Sequence, residues 1–164
     1  MKKIGIIMGS DSDFPVAKKA IDVFDELGLA YEVHIYSAHR TPEEAKDFAQ
    51  NARKNGFAAI IAFAGMAAHL AGAVAANTTL PVVGVPVSSG SLDGMDALLS
   101  TVMMPSGIPV ATVAIGGAAN AALLCAEMLS IEDEALAEKL AKKREADRQK
   151  VLEKNAKLEQ EFNK

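Results

Sequence analysis

The sequence lacks the residues on which several kinds of site depend. It has one cysteine, Cys125, so an intrachain disulfide framework and a cysteine-based zinc site are both excluded. There is no tryptophan, and aromatic residues make up 5% of the 164. None falls between Phe63 and Phe162, so a redox flavin would find no ring there to stack on. Three histidines and one cysteine show no ligand spacing, and no acidic cluster accompanies them, which argues against a metal. No lysine occurs between Lys54 and Lys139, which excludes a phosphate receiver that needs a lysine after its last strand. The net charge is −4 and no basic patch interrupts it, so nucleic acid is not an expected partner. With no disulfide pair and no signal-peptide pattern at the start, the cytoplasm is the expected compartment.

What fills the chain instead is alanine, at 30 positions. Half the residues are apolar, but through small side chains. That content and length give one domain with a real core and rule out a disordered chain. Charge is distributed unevenly. Residues 131–164 carry nine acidic and nine basic groups, leaving 20 for the first 130 positions. Between Lys54 and Asp93 there is no charged residue at all. Such a stretch points to surface covered by other subunits or by a membrane. Residues 57–76 are long enough to span a bilayer. However, they consist mostly of alanine and glycine with His69 inside, and begin with a strand-like run bounded by Asn55-Gly56 and Gly65. The membrane reading is therefore set aside.

Strand and helix patterns alternate. Lys3–Met8 is an apolar run without alternation, as in a strand covered on both faces. Further strands are expected at 30–36, 57–63, 81–85 and 109–114. Helices are expected at 15–27, 67–76 and 118–129, and another opens at Thr41-Pro42-Glu43-Glu44. There Thr41 would cap the helix, Pro42 would take its first position, and Glu44 would complete a capping box. Ser130-Ile131-Glu132-Asp133 reads as a second capping box, opening a long charged helix. The alternation predicts a flavodoxin-like three-layer α/β/α sandwich with a five-stranded parallel sheet and a long C-terminal helix. Residues 1–130 are expected to form a single α/β catalytic domain and residues 131–164 the terminal helix. In such sheets ligands bind at the carboxyl ends of the strands.

Three loops follow the first three strands and should converge on that edge. Gly9-Ser10-Asp11-Ser12-Asp13 offers backbone N–H groups and hydroxyls to an anion, although Ser12 or Asp13 could serve only as a helix cap. Ser37-Ala38-His39-Arg40-Thr41 brings a hydroxyl, an imidazole and a guanidinium suited to phosphate. The alternatives are a structural histidine and a surface ion pair. The third loop, Gly65-Met66-Ala67-Ala68-His69-Leu70, places a histidine in apolar surroundings. Such surroundings favour a neutral ring able to move a proton, but also suit a plain core histidine. His34 lies mid-strand and reads as structural.

Six motifs in order carry a resemblance: Gly9-Ser10-Asp11-Ser12-Asp13, Ser37-Ala38-His39-Arg40-Thr41-Pro42, Ala67-Ala68-His69-Leu70, Val83-Gly84-Val85-Pro86-Val87, Met104-Pro105-Ser106-Gly107-Ile108-Pro109-Val110 and Asn120-Ala121-Ala122-Leu123-Leu124. Over residues 3 to about 130 the chain closely resembles the 5-(carboxyamino)imidazole ribonucleotide mutases, class I of the aminoimidazole ribonucleotide carboxylase family of purine biosynthesis. The resemblance implies an isomerase that moves a carboxyl group on a ribonucleotide from an exocyclic amine to imidazole carbon 4, with no cofactor or metal. It implies His39 and His69 around the imidazole as catalytic residues. It implies substrate binding by Ser10, Ser12, Asp13, Ser37, Arg40, Gly65, Ala68 and Leu70. Arg40 and the serines would hold phosphate, and Asp13 the ribose hydroxyls.

Arg40 and His69 favour the mutase branch over the branch that uses carbon dioxide directly on aminoimidazole ribonucleotide. A non-enzymatic nucleotide-binding module on the same fold is the further alternative. Three departures stand out. Met66 replaces a usual glycine, Ala71 replaces a proline, and the Ile115-Gly116-Gly117-Ala118 stretch is about two residues short. The family's octamer would account for the charge-poor middle. Its terminal helix packs on a neighbouring subunit, and here Leu136, Leu140, Val151, Leu158 and Phe162 would form the apolar stripe.

Overall fold

The computed structural model describes residues 2–163. Five parallel strands form one sheet in the order β2-β1-β3-β4-β5: β1 (Lys3–Met8), β2 (Tyr31–Ile35), β3 (Phe57–Gly65), β4 (Val82–Val87) and β5 (Ala111–Thr112). Helices α1 (Phe14–Leu27), α2 (Pro42–Asn51), α3 (Leu70–Ala75), α4 (Met95–Val102) and α5 (Ala118–Ser130) follow the strands in turn, and α6 (Glu134–Phe162) ends the chain. This is the flavodoxin-like α/β/α sandwich, and its strand order reverses direction between β1 and β3.

The apolar run of β1 has its physical reason here. Ile4, Ile6, Ile7 and Met8 are fully buried, because both faces of the strand are covered. Ile7 packs in one cluster with Phe48 of α2 and Leu70 and Val74 of α3. The alternate residues Ile4, Ile6 and Met8 point to the opposite face. α1 offers that face a stripe of Ala17, Ala20, Ile21, Phe24 and Leu27, at the three- and four-residue spacing of a helix. β4 is buried along its whole length. At Gly84 a side chain would meet Thr101 Cγ2 at 2.4 Å and Val110 Cγ1 at 3.0 Å, so only glycine lets α4 lie so close to the sheet.

Several expected boundaries move. α3 begins at Leu70 rather than 67, because Met66 takes the left-handed φ of 52° and Ala68 and His69 close short turns back to Met66 and Ala67. β5 pairs only Val83 and Gly84, far less than the expected 109–114, and Pro109 has no N–H to add to a ladder. α4 was not anticipated, because its eight residues lie outside any long periodic pattern. Neither capping box forms as expected. Thr41 spends its hydroxyl on Ser37 and makes no helix cap, and α6 is capped by Asp133, whose carboxylate accepts from Leu136 N at 3.0 Å. Ser130 instead bonds Glu127 O inside α5.

The chain separates into two compact units, one reaching Cys125 and the other starting at Ala126. Within the second, α6 carries the ion pairs Arg148–Glu145 at 3.0 Å and Lys150–Asp147 at 2.8 Å, one turn apart. Leu136 and Leu140 are buried, whereas Val151, Leu158 and Phe162 are exposed. Among the described residues, no helix is long and apolar enough to cross a membrane.

Candidate active site

The loops after β1, β2 and β3 do converge. They enclose a cavity of about 480 Å³ at the carboxyl ends of the strands, lined by Ser10, Ser12, Asp13, Ser37, His39, Arg40, Gly65, His69 and Leu70 among others. Parallel pairing puts these loops on one edge although the sequence separates them by up to sixty residues. Of the expected site residues only Ala68 is absent from the wall; it is buried beneath the third loop. A larger hollow of about 950 Å³ lies at the amino ends of β4 and β5 and contains none of them.

The first loop is a capped 3₁₀ turn. Ser10 Oγ accepts from Ser12 N at 3.4 Å, and Asp13 Oδ2 accepts from Ser10 N at 3.2 Å. Ser10 caps this turn, while Asp13 takes the N-cap position of α1 without a side-chain cap bond. Ser10 also donates to Asp11 Oδ1 at 3.0 Å, so its hydroxyl is already engaged. Asp13 is buried. Burial pushes its carboxyl above the ordinary value, while the backbone N–H groups of Ser10 and Gly9 and the Arg40 charge pull it back.

The second loop is folded around Ser37. Its Oγ accepts from His39 N at 3.3 Å and from Arg40 N at 3.2 Å, and Thr41 Oγ1 accepts from Ser37 N at 2.7 Å. Ser37 thus shapes the loop that presents the imidazole and guanidinium. Arg40 reaches across to the first loop, donating from Nη2 to Gly9 O at 2.8 Å. One edge of a five-donor group is fixed in this way, and the rest is left for an anion.

The second and third loops meet through their histidines. His39 Nε2 and His69 Nδ1 lie 3.0 Å apart, with the rings edge to face. A contact of this length has room for one hydrogen, donated by whichever ring nitrogen carries it. His69 is exposed at the cavity rather than sunk among apolar groups. Met66, which stands beside it, holds its left-handed backbone with a side chain that strains it. His34 is structural, as expected: it stacks on Tyr36 at 5.2 Å and lies 3.5 Å from Glu32. Among the described residues no group of histidine, cysteine and carboxylate side chains could hold a metal. Sequence reasoning missed Ser89, which also lines the cavity. Its signal was available, since the polar pair Ser88-Ser89 stands directly after an apolar strand at the ligand-bearing edge.

The chain is similar to known proteins over most of its length. The family profile described as AIR carboxylase matches residues 3–150. The N5-carboxyaminoimidazole ribonucleotide mutase of Bacillus subtilis is 55% identical over 157 residues, covering 94% of this chain and 97% of the relative. The mutase of Thermotoga maritima is 51% identical over 160 residues, covering 98% and 94%. A crystal structure of Treponema denticola PurE superposes with a TM-score of 0.88 at 31% identity, covering 96% of this chain and 99% of that one.

Proposed function

The chain belongs to the AIR carboxylase family, and from that premise we propose that it is a mutase converting N5-carboxyaminoimidazole ribonucleotide to 4-carboxy-5-aminoimidazole ribonucleotide in purine biosynthesis. The observation that carries this reading is the His39–His69 contact at 3.0 Å beside Arg40, in a cavity of nucleotide size. The relatives named above support it.

The geometry suits the chemistry. Arg40 and the loop serines bind the 5′-phosphate, and Asp13 takes the ribose hydroxyls. The imidazole then lies against the histidine pair. The carbamate N–C bond breaks, its electron pair stays on nitrogen, and carbon dioxide is released inside the cavity. Carbon 4 attacks that carbon dioxide and forms the new C–C bond. The proton on carbon 4 passes to the histidine pair, and the exocyclic nitrogen regains one. Atoms balance without cofactor, metal or redox partner. Holding the carbon dioxide in place supplies most of the advantage over solution.

We further read the molecule as a cytoplasmic homo-oligomer of eight copies, with no nucleic-acid or membrane partner. The exposed apolar residues Met95, Leu99 and Val102 along α4, and Val151, Leu158 and Phe162 along α6, support self-association. α6 would pack on a neighbouring subunit.

The test supplies each nucleotide separately. Conversion of N5-carboxyaminoimidazole ribonucleotide is expected, with a loss of at least 100-fold in His39→Asn and His69→Asn. Turnover only from aminoimidazole ribonucleotide plus bicarbonate would overturn the mutase reading. It would support direct carboxylation instead. Equal inactivity of the wild type and both variants toward every nucleotide would leave a binding module.

A further inference from the structure

Ser89 follows β4 and stands on the wall of the cavity. Its hydroxyl oxygen is shielded from water and has no hydrogen-bond partner. The residue occupies the cap position of the 3₁₀ turn Gly90–Leu92, where a serine hydroxyl ordinarily accepts a backbone N–H; here it makes no such bond. Capping therefore does not explain it. The chain also keeps room for this side chain. At Gly65 a Cβ would lie 2.4 Å from Ser89 Oγ and 3.2 Å from Val87 O, so any larger residue in the third loop would push Ser89 aside. A buried hydroxyl without a partner costs stability, and it recovers that cost only when something bonds it.

The position indicates what that partner is. Across the sheet the loops run in the order β2, β1, β3, β4. Arg40, Ser10 and Asp13 stand on the β2 and β1 side, where the phosphate and ribose would lie. On the β3 and β4 side the cavity wall is Ala64, Gly65, Met66, Ala67 and Leu70, with two polar side chains, His69 and Ser89. His69 is engaged with His39. Ser89 thus offers a hydroxyl without a partner at the end of the cavity away from the phosphate, beside the ring nitrogen of His69 that His39 does not engage. A rotation about its single side-chain bond turns the hydroxyl into the cavity.

We propose that Ser89 is a substrate-binding residue whose hydroxyl donates to the migrating carboxyl group. This rests on the mutase reading above and names the group that holds the carboxyl end of that substrate. Ser89 keeps the carboxyl near imidazole carbon 4, and releases the bond when the product leaves.

The test compares two nucleotides that differ only in that group. Calorimetric titration of Ser89→Ala is expected to show 4-carboxy-5-aminoimidazole ribonucleotide bound about 10- to 100-fold more weakly than by wild type. Aminoimidazole ribonucleotide, which has no carboxyl, is expected to bind within about twofold of wild type. The melting temperature should not fall, because the hydroxyl removed bonds nothing in the free protein. Ser89→Cys, a slightly larger side chain with a weaker donor, should give a loss for the carboxylated nucleotide between those of wild type and Ser89→Ala. Equal loss for both nucleotides, or no loss for either, overturns the assignment while leaving the mutase reading intact. A wild-type chain that binds neither nucleotide overturns both.

Discussion

Asp13 is where stability and binding oppose each other. Its carboxyl is buried, and burial raises its proton affinity in the folded chain above the unfolded value of 3.8. The folded state therefore holds the proton more tightly. The stability linked to it is complete below pH 3.8 and is lost as the pH rises through the raised value. At neutral pH the carboxylate is a net cost to the fold, which the proposed ribose contact would explain. Asp13→Asn is expected to raise the melting temperature at pH 7, with a gain over wild type that shrinks toward pH 4. Scanning calorimetry at both values reads this directly, and a pH-independent difference would contradict it. Cys125 shows the same physics without the function. Burial pushes its thiol up to about 12, which leaves it inert at neutral pH.

At the level of elements, the site depends on how closely helices approach the sheet. β4 can run under α4 because Gly84 has no side chain, with Thr101, Val110 and Ala71 filling the space above it. Gly84→Ala should cost about 1–3 kcal/mol, seen as a lower urea midpoint with unchanged slope. The alanine-rich segments have the same origin. Eleven of the 30 alanines fall between Ala52 and Ala76, and Ala59, Ala62, Ala71 and Ala75 are all buried. Small side chains let β3 and α3 pack tightly and leave the strand ends free to carry loops. The misplaced start of α3 is instructive here. Residues 67–69 have helical composition, but the turn at Met66 uses them to swing His69 toward His39. Local propensity was overruled by the need to cross from one strand end to the next helix.

For the whole molecule, the question is what covers the apolar surface that the chain exposes. Met95, Leu99, Val102 and Met103 are about half exposed or more, as are Val151, Leu158 and Phe162, more than a monomer of this size ordinarily leaves open. Sedimentation equilibrium is expected to give a mass near eight times 17.2 kDa. A value near one chain mass would contradict the assembly.

The sequence by itself determined the layered parallel architecture, because unbroken apolar strands alternating with amphipathic helices can bury themselves in few other ways. It also marked the three loops, because polar and basic residues at strand ends stand out against an alanine background. Only the tertiary structure decided that His39 and His69 touch, that Arg40 ties two loops together, and that Ser89 lacks a partner. Those facts depend on strand order and on side-chain distances between residues far apart in the chain. No local pattern encodes them, because parallel pairing alone brings those strand ends together.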